Sequence, residues 1–420
     1  MSAAKRTIRA EKTVNTGDTS LVPPTSGCAK SGVPETVLSS FCKIEGKFYP
    51  NKNRRHNMRV PVLDVEKHPL MPTTAVRARL LLDRGQASAY WSKLGVFCII
   101  LKKKVIPDNQ DLALGIDPGS SFEGWSIVGA KDTVLNGMSE TPKHVKKAVE
   151  QRRVMRRARR SRNCWRRPAR FQNRLRNKKT LPPSTFARWN AKIRIFDQLS
   201  KIIPISKVAV EDVAARTKKG KNIGWNSRFS PIEQGKMWFY EQIRNKGLKL
   251  VIYKGTETKG YRDFYQLNKS EDKGERTFSS HAVDSWVLAA TLVGAFEPTE
   301  RRLYYWIPIR LHRRQLHVLQ PDKGGIRKAY GSTRSMQFSR GTLVKDKSNN
   351  FQYIGGTSKD RISLHDLKSG KRTTQLAKPT ELKVLTRIAF RTEFIKTSRG
   401  EQREAIPLTA KAVSFLALGL

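Results

Sequence analysis

Hydrophobic and polar positions divide this chain into a short unit, a longer stretch of mixed helix and strand, and a final run of small strands. The apolar group Val60 to Leu63 predicts a strand, Pro69-Leu70-Met71-Pro72 a turn, and Thr74 to Arg84 a helix closed by Gly85. The apolar run Val96 to Leu101 predicts another strand, ending in Lys102-Lys103-Lys104. Leu112 to Ile116 is apolar throughout, as in a strand covered on both faces. Asp117-Pro118-Gly119-Ser120 supplies turn residues, Gly124 to Val128 a strand returning beside the first, and Thr133 to Met138 a third. Regular patterning resumes with a helix near Phe186 to Ile202 and a strand from Lys207 to Val213. A helix from Pro231 to Lys246, a strand from Leu248 to Tyr253, a polar loop and a helix from Ser280 to Phe296 follow.

Three strands, then alternating helix and strand, then a terminal helix is the α/β element order of an RNase H-like domain. From Arg301 onward short strands separated by Gly, Asn and Lys turns (Gly341 to Val344, Phe351 to Ile354, Arg361 to His365) predict a small β-barrel. Residues 1–56, rich in Ser, Thr, Pro and Lys, read as a disordered basic tail, and residues 397–420 as a second tail.

Charge narrows the function. Lys and Arg number 82 against 35 Asp and Glu, a formal net charge of +47 over 420 residues. Such self-repulsion makes sense opposite a polyanion, because each phosphate neutralised releases condensed counterions. Membrane-surface binders carry amphipathic helices with a broad apolar face, and no basic segment here has one. Cys28, Cys42, Cys98 and Cys164 form no CxxC pair, which argues against a disulfide framework or a zinc ribbon. With no apolar N-terminal region and no run long enough for a span, the expectation is a cytoplasmic, nucleoid-associated protein.

Three carboxylates stand where chemistry is built. Asp117 closes an apolar strand, so its side chain emerges at a sheet end, although Asp-Pro-Gly is also a common turn sequence. Glu211 follows Lys207-Val208-Ala209-Val210, and an acid at mid-sheet is costly unless paired or metal-bound. Alternation puts Glu211 and Asp212 on opposite faces, so only one can point at a shared site. Asp284 begins an apolar helix, with His281 three residues before it on the same face, unless both merely decorate a capped first turn. Converging carboxylates suit a pair of Mg²⁺ ions, with Mn²⁺ as a substitute, for phosphodiester hydrolysis. Asp117, Glu211 and Asp284 are the expected ligands, and His281 would orient the water or contact the scissile phosphate.

From Lys146 to Lys179 the chain carries 16 Lys or Arg against one acid, Glu150. Arg152, Arg153, Arg156, Arg157, Arg159 and Arg160 recur on several faces of one helix, and Arg162, Arg166, Arg167, Arg170 and Arg174 continue the charge. Arginine all round a helix suits a rod clasped by phosphates, with Trp165 and Phe171 free to stack or anchor. The bland alternative is a solvated basic linker.

Gly115-Ile116-Asp117-Pro118-Gly119-Ser120, the stretch Arg152 to Arg160, Val210-Glu211-Asp212 and His281-Ala282-Val283-Asp284 together resemble a known family. They are similar to the three RuvC segments and bridge helix of the transposon-encoded RNA-guided nucleases, the IscB and IsrB proteins, relatives of type II CRISPR effectors. His68-Pro69-Leu70-Met71-Pro72 resembles their PLMP motif, and Arg313-Arg314-Gln315-Leu316-His317 followed by Lys323-Gly324-Gly325 the start of their C-terminal domain. The resemblance implies a PLMP-like domain at 57–110, RuvC segments at 111–144, 181–265 and 266–300, a bridge helix at 145–180 and a DNA-motif-reading β-domain at 301–396. IscB places an HNH nuclease, with its catalytic histidine, between the second and third RuvC segments. No histidine lies between Glu211 and His281, which points to the IsrB branch.

That branch implies a nickase bound to a structured omega RNA as a monomeric ribonucleoprotein. Its guide pairs with one strand of a DNA duplex bearing a short flanking motif, and the RuvC centre nicks the other. Two other readings share the residues: a structure-specific DNA resolvase or transposase that uses no RNA, and an RNA-binding relative whose nuclease has lapsed.

Overall fold

The computed structural model describes residues 58–161, 181–212, 230–309, 319–320, 325–326, 334–335, 338–358 and 361–395. Both expected tails lie outside them, as do Arg162, Arg166, Arg167, Arg170, Arg174, Trp165, Phe171, the Arg313 to His317 motif, Lys323-Gly324 and the side chain of Arg159.

In the N-terminal unit, β1 (Arg59–Leu63), β2 (Pro69–Thr74), β3 (Ala87–Trp91) and β4 (Phe97–Leu101) form a four-stranded sheet in the order β2-β1-β4-β3. Helix α1 (Ala75–Asp83) starts where the Thr74 hydroxyl accepts from the Arg77 N–H at 3.3 Å, and Gly85 follows it at φ +66°. The turn expected at Pro69 to Pro72 is instead strand β2, paired antiparallel with β1. It lies at the sheet edge, the place in a sheet where proline is tolerated. The reversal falls earlier, where Asp64 N–H donates to His68 O at 3.0 Å and Asp64 Oδ1 accepts from His68 N–H at 2.7 Å.

The main domain contributes β5 (Leu112–Asp117), β6 (Phe122–Gly129), β7 (Thr133–Glu140), β8 (Lys207–Asp212), β9 (Lys249–Lys254) and β10 (Leu303–Pro308). Farther on come β11 (Thr342–Lys345), β12 (Phe351–Ser358), β13 (Arg361–Asp366), β14 (Arg372–Ala377), β15 (Lys383–Arg387) and β16 (Phe390–Ile395). The central sheet has seven strands in the order β16-β10-β7-β6-β5-β8-β9. Within it β5, β6 and β7 form an antiparallel meander, while β8 and β9 run parallel to β5. The order third-second-first-fourth-fifth, with the second strand reversed, is the arrangement the RNase H-like expectation requires.

Strands β10 and β16 extend this sheet from the stretch read as a separate C-terminal module. The remaining five form an antiparallel sheet, β14-β13-β12-β11-β15, whose outer strands do not pair with each other among the described residues, so it is an open sheet rather than the expected closed barrel.

Helices cover both faces of the central sheet. Helices α3 (Pro183–Ser200) and α4 (Pro231–Arg244) lay Ile193, Phe196, Leu199, Phe239 and Ile243 against Leu112, Leu114, Ile116, Val208 and Val210. On the other face are α5 (Gly255–Phe264), the one-turn α6 (Phe278–His281) and α7 (Val283–Val293), whose Val283, Trp286, Val287 and Ala290 pack with Ala113 and Val128. Each Val, Leu, Ile or Phe side chain fully buried there is worth about 1.5–3 kcal/mol. Helix α2 (His144–Ser161) follows β7 and buries little. No helix among the described residues is long and apolar enough to cross a membrane.

Beneath α3 lies a buried ion pair. Lys192 meets Glu123 of β6 with side chains 4% and 2% exposed, the ammonium lies 4.7 Å from the Trp189 ring centroid, and Ser139 donates to the second Glu123 oxygen at 3.0 Å. Removing one partner of such a pair strands the other charge. Lys192→Met is therefore expected to lower unfolding stability by about 3–5 kcal/mol, read from urea or thermal melts. A loss below about 1 kcal/mol would mean that Glu123 finds solvent or another partner.

Candidate metal centre and nucleic-acid interface

Alternation along two parallel strands sets the site. In β5, Leu112, Leu114 and Ile116 face α3 and α4, so Ala113, Gly115 and Asp117 face α7. In β8, Val208 and Val210 face α3 and α4, which leaves Ala209 and Glu211 toward α7. Ile116 lies opposite Val210, so Asp117 and Glu211 emerge side by side at the carboxyl ends of adjacent strands. Asp212 points the other way, to Lys236 Nζ at 2.7 Å and the Tyr240 hydroxyl at 3.2 Å.

Asp284 arrives from across the sheet, and glycine permits its approach. A Cβ on Gly115 would stand 1.8 Å from the Ser285 carbonyl oxygen, and one on Gly124 would stand 2.2 Å from that of His281. The helix backbone therefore rests directly on two strand positions that carry no side chain. Gly115→Ala is expected to push α7 off the sheet, costing at least about 1–3 kcal/mol of stability and lowering metal affinity. A wild-type melting temperature and metal affinity in that variant would show that the helix can shift freely.

One oxygen from each of Asp117, Glu211 and Asp284 lies within 4.8 Å of the others. Asp284 is buried and the other two half-buried. Burial, then the charge of Asp284, raises the Asp117 carboxyl above the usual range; burial, then Asp117 and Asp284, raises Glu211. Asp117 and Glu211 therefore resist ionising side by side, and a cation between them removes that penalty. An all-oxygen donor set of this kind fits Mg²⁺ or Mn²⁺.

Two cations already face the triad. Arg262 Nη1 donates to Asp284 Oδ1 at 2.6 Å. The Lys269 ammonium pairs with Asp284 Oδ2 and stands 4.0 Å from Asp117 Oδ2. Burial lowers the Lys269 pKa, but the facing carboxylates outweigh it and raise it overall. Sequence reasoning missed both residues, because in the sequence they belong to an ordinary polar stretch with no distinguishing period.

The helix that carries His281 and Asp284 has other limits than expected. The helix begins at Phe278 rather than Ser280, breaks at Ala282 (φ −117°) and ends at Val293 rather than Phe296, where Gly294 closes it at φ +68°. The Ala282 carbonyl accepts from Ser126 Oγ at 3.4 Å and Ser285 Oγ at 3.0 Å, which accompanies the break. The His281 ring lies 4.8 Å from that of Phe122, and burial lowers its pKa. It does not belong to the carboxylate cluster.

The arginine helix is well exposed. In α2 the side chains of Arg152, Arg153, Arg156, Arg157 and Arg160 all face solvent, while Val145, Ala148 and Met155 form a half-buried seam. Arg153 approaches Glu150 at 3.9 Å, an exposed pair that leaves the exposed Arg152, Arg156, Arg157 and Arg160 to meet phosphate.

Fold and site together define a mixed α/β protein with an acidic triad at the carboxyl ends of its central strands and a basic helix leaving the same sheet. Residues 60–228 match the family model described as RRXRR protein, and the chain carries that literal pattern at Arg156-Arg157-Ala158-Arg159-Arg160. Among solved structures, Thermus thermophilus RuvC in complex with a Holliday junction substrate matches with 14% identity, over 43% of this chain and 92% of that one, at a TM-score of 0.24. The T. thermophilus RuvC structure matches with 13% identity over the same shares, 43% and 92%, at 0.23. No curated protein matches the chain.

Proposed function

We propose that this protein is a divalent-metal-dependent DNA endonuclease of the IsrB kind, guided by a structured RNA and nicking one strand of a duplex. The convergence of Asp117, Glu211 and Asp284 at one sheet end carries the reading. Two Mg²⁺ ions held there would supply an activated water and stabilise the leaving 3′ oxygen. Asp117 and Glu211 hold their carboxylates on rigid strand ends, and Arg262 fixes the orientation of Asp284. His281, whose pKa burial lowers, is the proposed neighbour of the scissile phosphate or water.

The exposed arginines of α2 would clasp RNA phosphates, which position the nucleic acid without reading its sequence. Sequence is then read by the guide, and the sheet β14-β13-β12-β11-β15 with the residues around it is the proposed reader of the flanking motif. The segmentation into PLMP-like, RuvC, bridge-helix and C-terminal parts belongs to the same proposal.

Two measurements test it. Expressed with its flanking genomic DNA, the protein should purify with one discrete RNA encoded beside the gene. Supplied with that RNA and Mg²⁺, it should convert supercoiled target plasmid to open circles. Random cellular RNA, or none, would transfer the assignment to a branched-DNA nuclease, with Holliday junctions as the next substrate. Rapid linearisation at one site would reveal a second active centre.

A further inference from the structure

Both carboxylate oxygens of Asp284 are engaged by cations, and the two cations differ in how they are held. Arg262 projects from α5, its side chain is 18% exposed, and its Nη1 donates to Asp284 Oδ1 at 2.6 Å from a planar, stiff guanidinium. Lys269 comes from the connection between α5 and α6, its side chain is 34% exposed, and its ammonium sits on a flexible four-carbon stem.

The backbone beneath that stem is anchored. Ser270 N–H donates to Ser279 O at 3.1 Å, and Arg276 pairs with Glu393 at 3.3 Å while its guanidinium lies 4.7 Å from the Tyr305 ring centroid. The ammonium can therefore leave the carboxylates by rotamer change alone. The oxygens it faces, one from Asp117 and one from Asp284, belong to two of the three residues that converge as a ligand set. Like charges cannot share those oxygens at contact distance, so an ammonium and a divalent ion exclude each other there.

We propose that Lys269 is a positioning residue of the metal centre whose ammonium competes with the divalent ion for Asp117 and Asp284, so that metal entry swings Lys269 outward while Arg262 keeps Asp284 in place. The inference rests on reading the triad as the metal centre. It makes Lys269 the residue that sets metal affinity: the same ammonium that relieves repulsion among the carboxylates must be displaced before the ion is bound.

The test is calorimetric titration of Mn²⁺ alone into the full-length chain, stripped of nucleic acid, for wild type, Lys269→Met, Lys269→Gln and Asp117→Asn. Both Lys269 variants should bind Mn²⁺ on the order of tenfold more tightly, since a charge a few ångströms from the ion is removed. Without added metal they should melt below wild type, and saturating Mn²⁺ should erase the deficit. A merely structural lysine predicts the opposite, because a damaged site binds metal more weakly. Affinity unchanged or weakened in both Lys269 variants overturns the competition. Asp117→Asn separates the two readings. If it loses Mn²⁺ while the Lys269 variants match wild type, the metal centre stands and only the role of Lys269 falls. If it binds Mn²⁺ like wild type, both fall together.

Discussion

Asp117→Ala is expected to slow plasmid nicking by about a thousandfold or more while nucleic-acid affinity stays within about twofold of wild type. The asymmetry follows from position. Asp117 ends β5 beside Glu211 and Asp284, and its carboxylate faces the other acids and Lys269. As a proposed metal ligand it contributes several kcal/mol of transition-state charge stabilisation, and each 1.36 kcal/mol is a factor of about ten in rate. It contributes nothing to phosphate binding, since a carboxylate repels phosphate. Rate and affinity should therefore be measured on the same preparation, with an intact circular-dichroism spectrum as the control. Cleavage surviving in this variant would remove Asp117 from the centre. Loss of RNA binding alongside cleavage would mean that the substitution had disturbed the fold.

Replacing Arg152, Arg156 and Arg160 together by Ala acts on the other half of the proposal. All three side chains are exposed on α2, so the substitutions leave the core alone. If each neutralises one phosphate, the slope of log affinity against log salt should flatten by about 2–3, at 0.7 to 0.9 per contact. Near physiological salt that corresponds to roughly a hundredfold weaker binding, shrinking toward nothing as salt approaches 1 M. The metal affinity of the triad should not move. An unchanged salt slope would make α2 a solvated linker and place the phosphate contacts elsewhere.

Much of this arrangement was legible in the residues themselves. The all-apolar Leu112 to Ile116 and the run Val208 to Val210 read as buried strands, with an acid closing each. The two-residue period of a strand decided that Glu211 and Asp212 part company, and the structure indeed turns Asp212 away to Lys236 and Tyr240. The basic character of α2 was equally plain, because no core accepts arginine on several faces of one helix.

What tertiary structure alone decided is long-range. Pro69 to Pro72 has turn composition, but a sheet edge makes it a strand, and being an edge is a property of neighbours. Leu303–Pro308 and Phe390–Ile395 join the central sheet because β7 and β10 offer them open edges, which no local pattern announces. Asp284 reaches Asp117 only because Gly115 and Gly124 let the helix backbone touch the strands; in the sequence those glycines look like weak points in good strands. Arg262 and Lys269 stand 22 and 15 residues from Asp284 along the chain, and only the packing of α5 and its following connection against α7 brings them to its oxygens. Local periodicity determines which way a side chain points; which partner it meets depends on the elements that pack across from it.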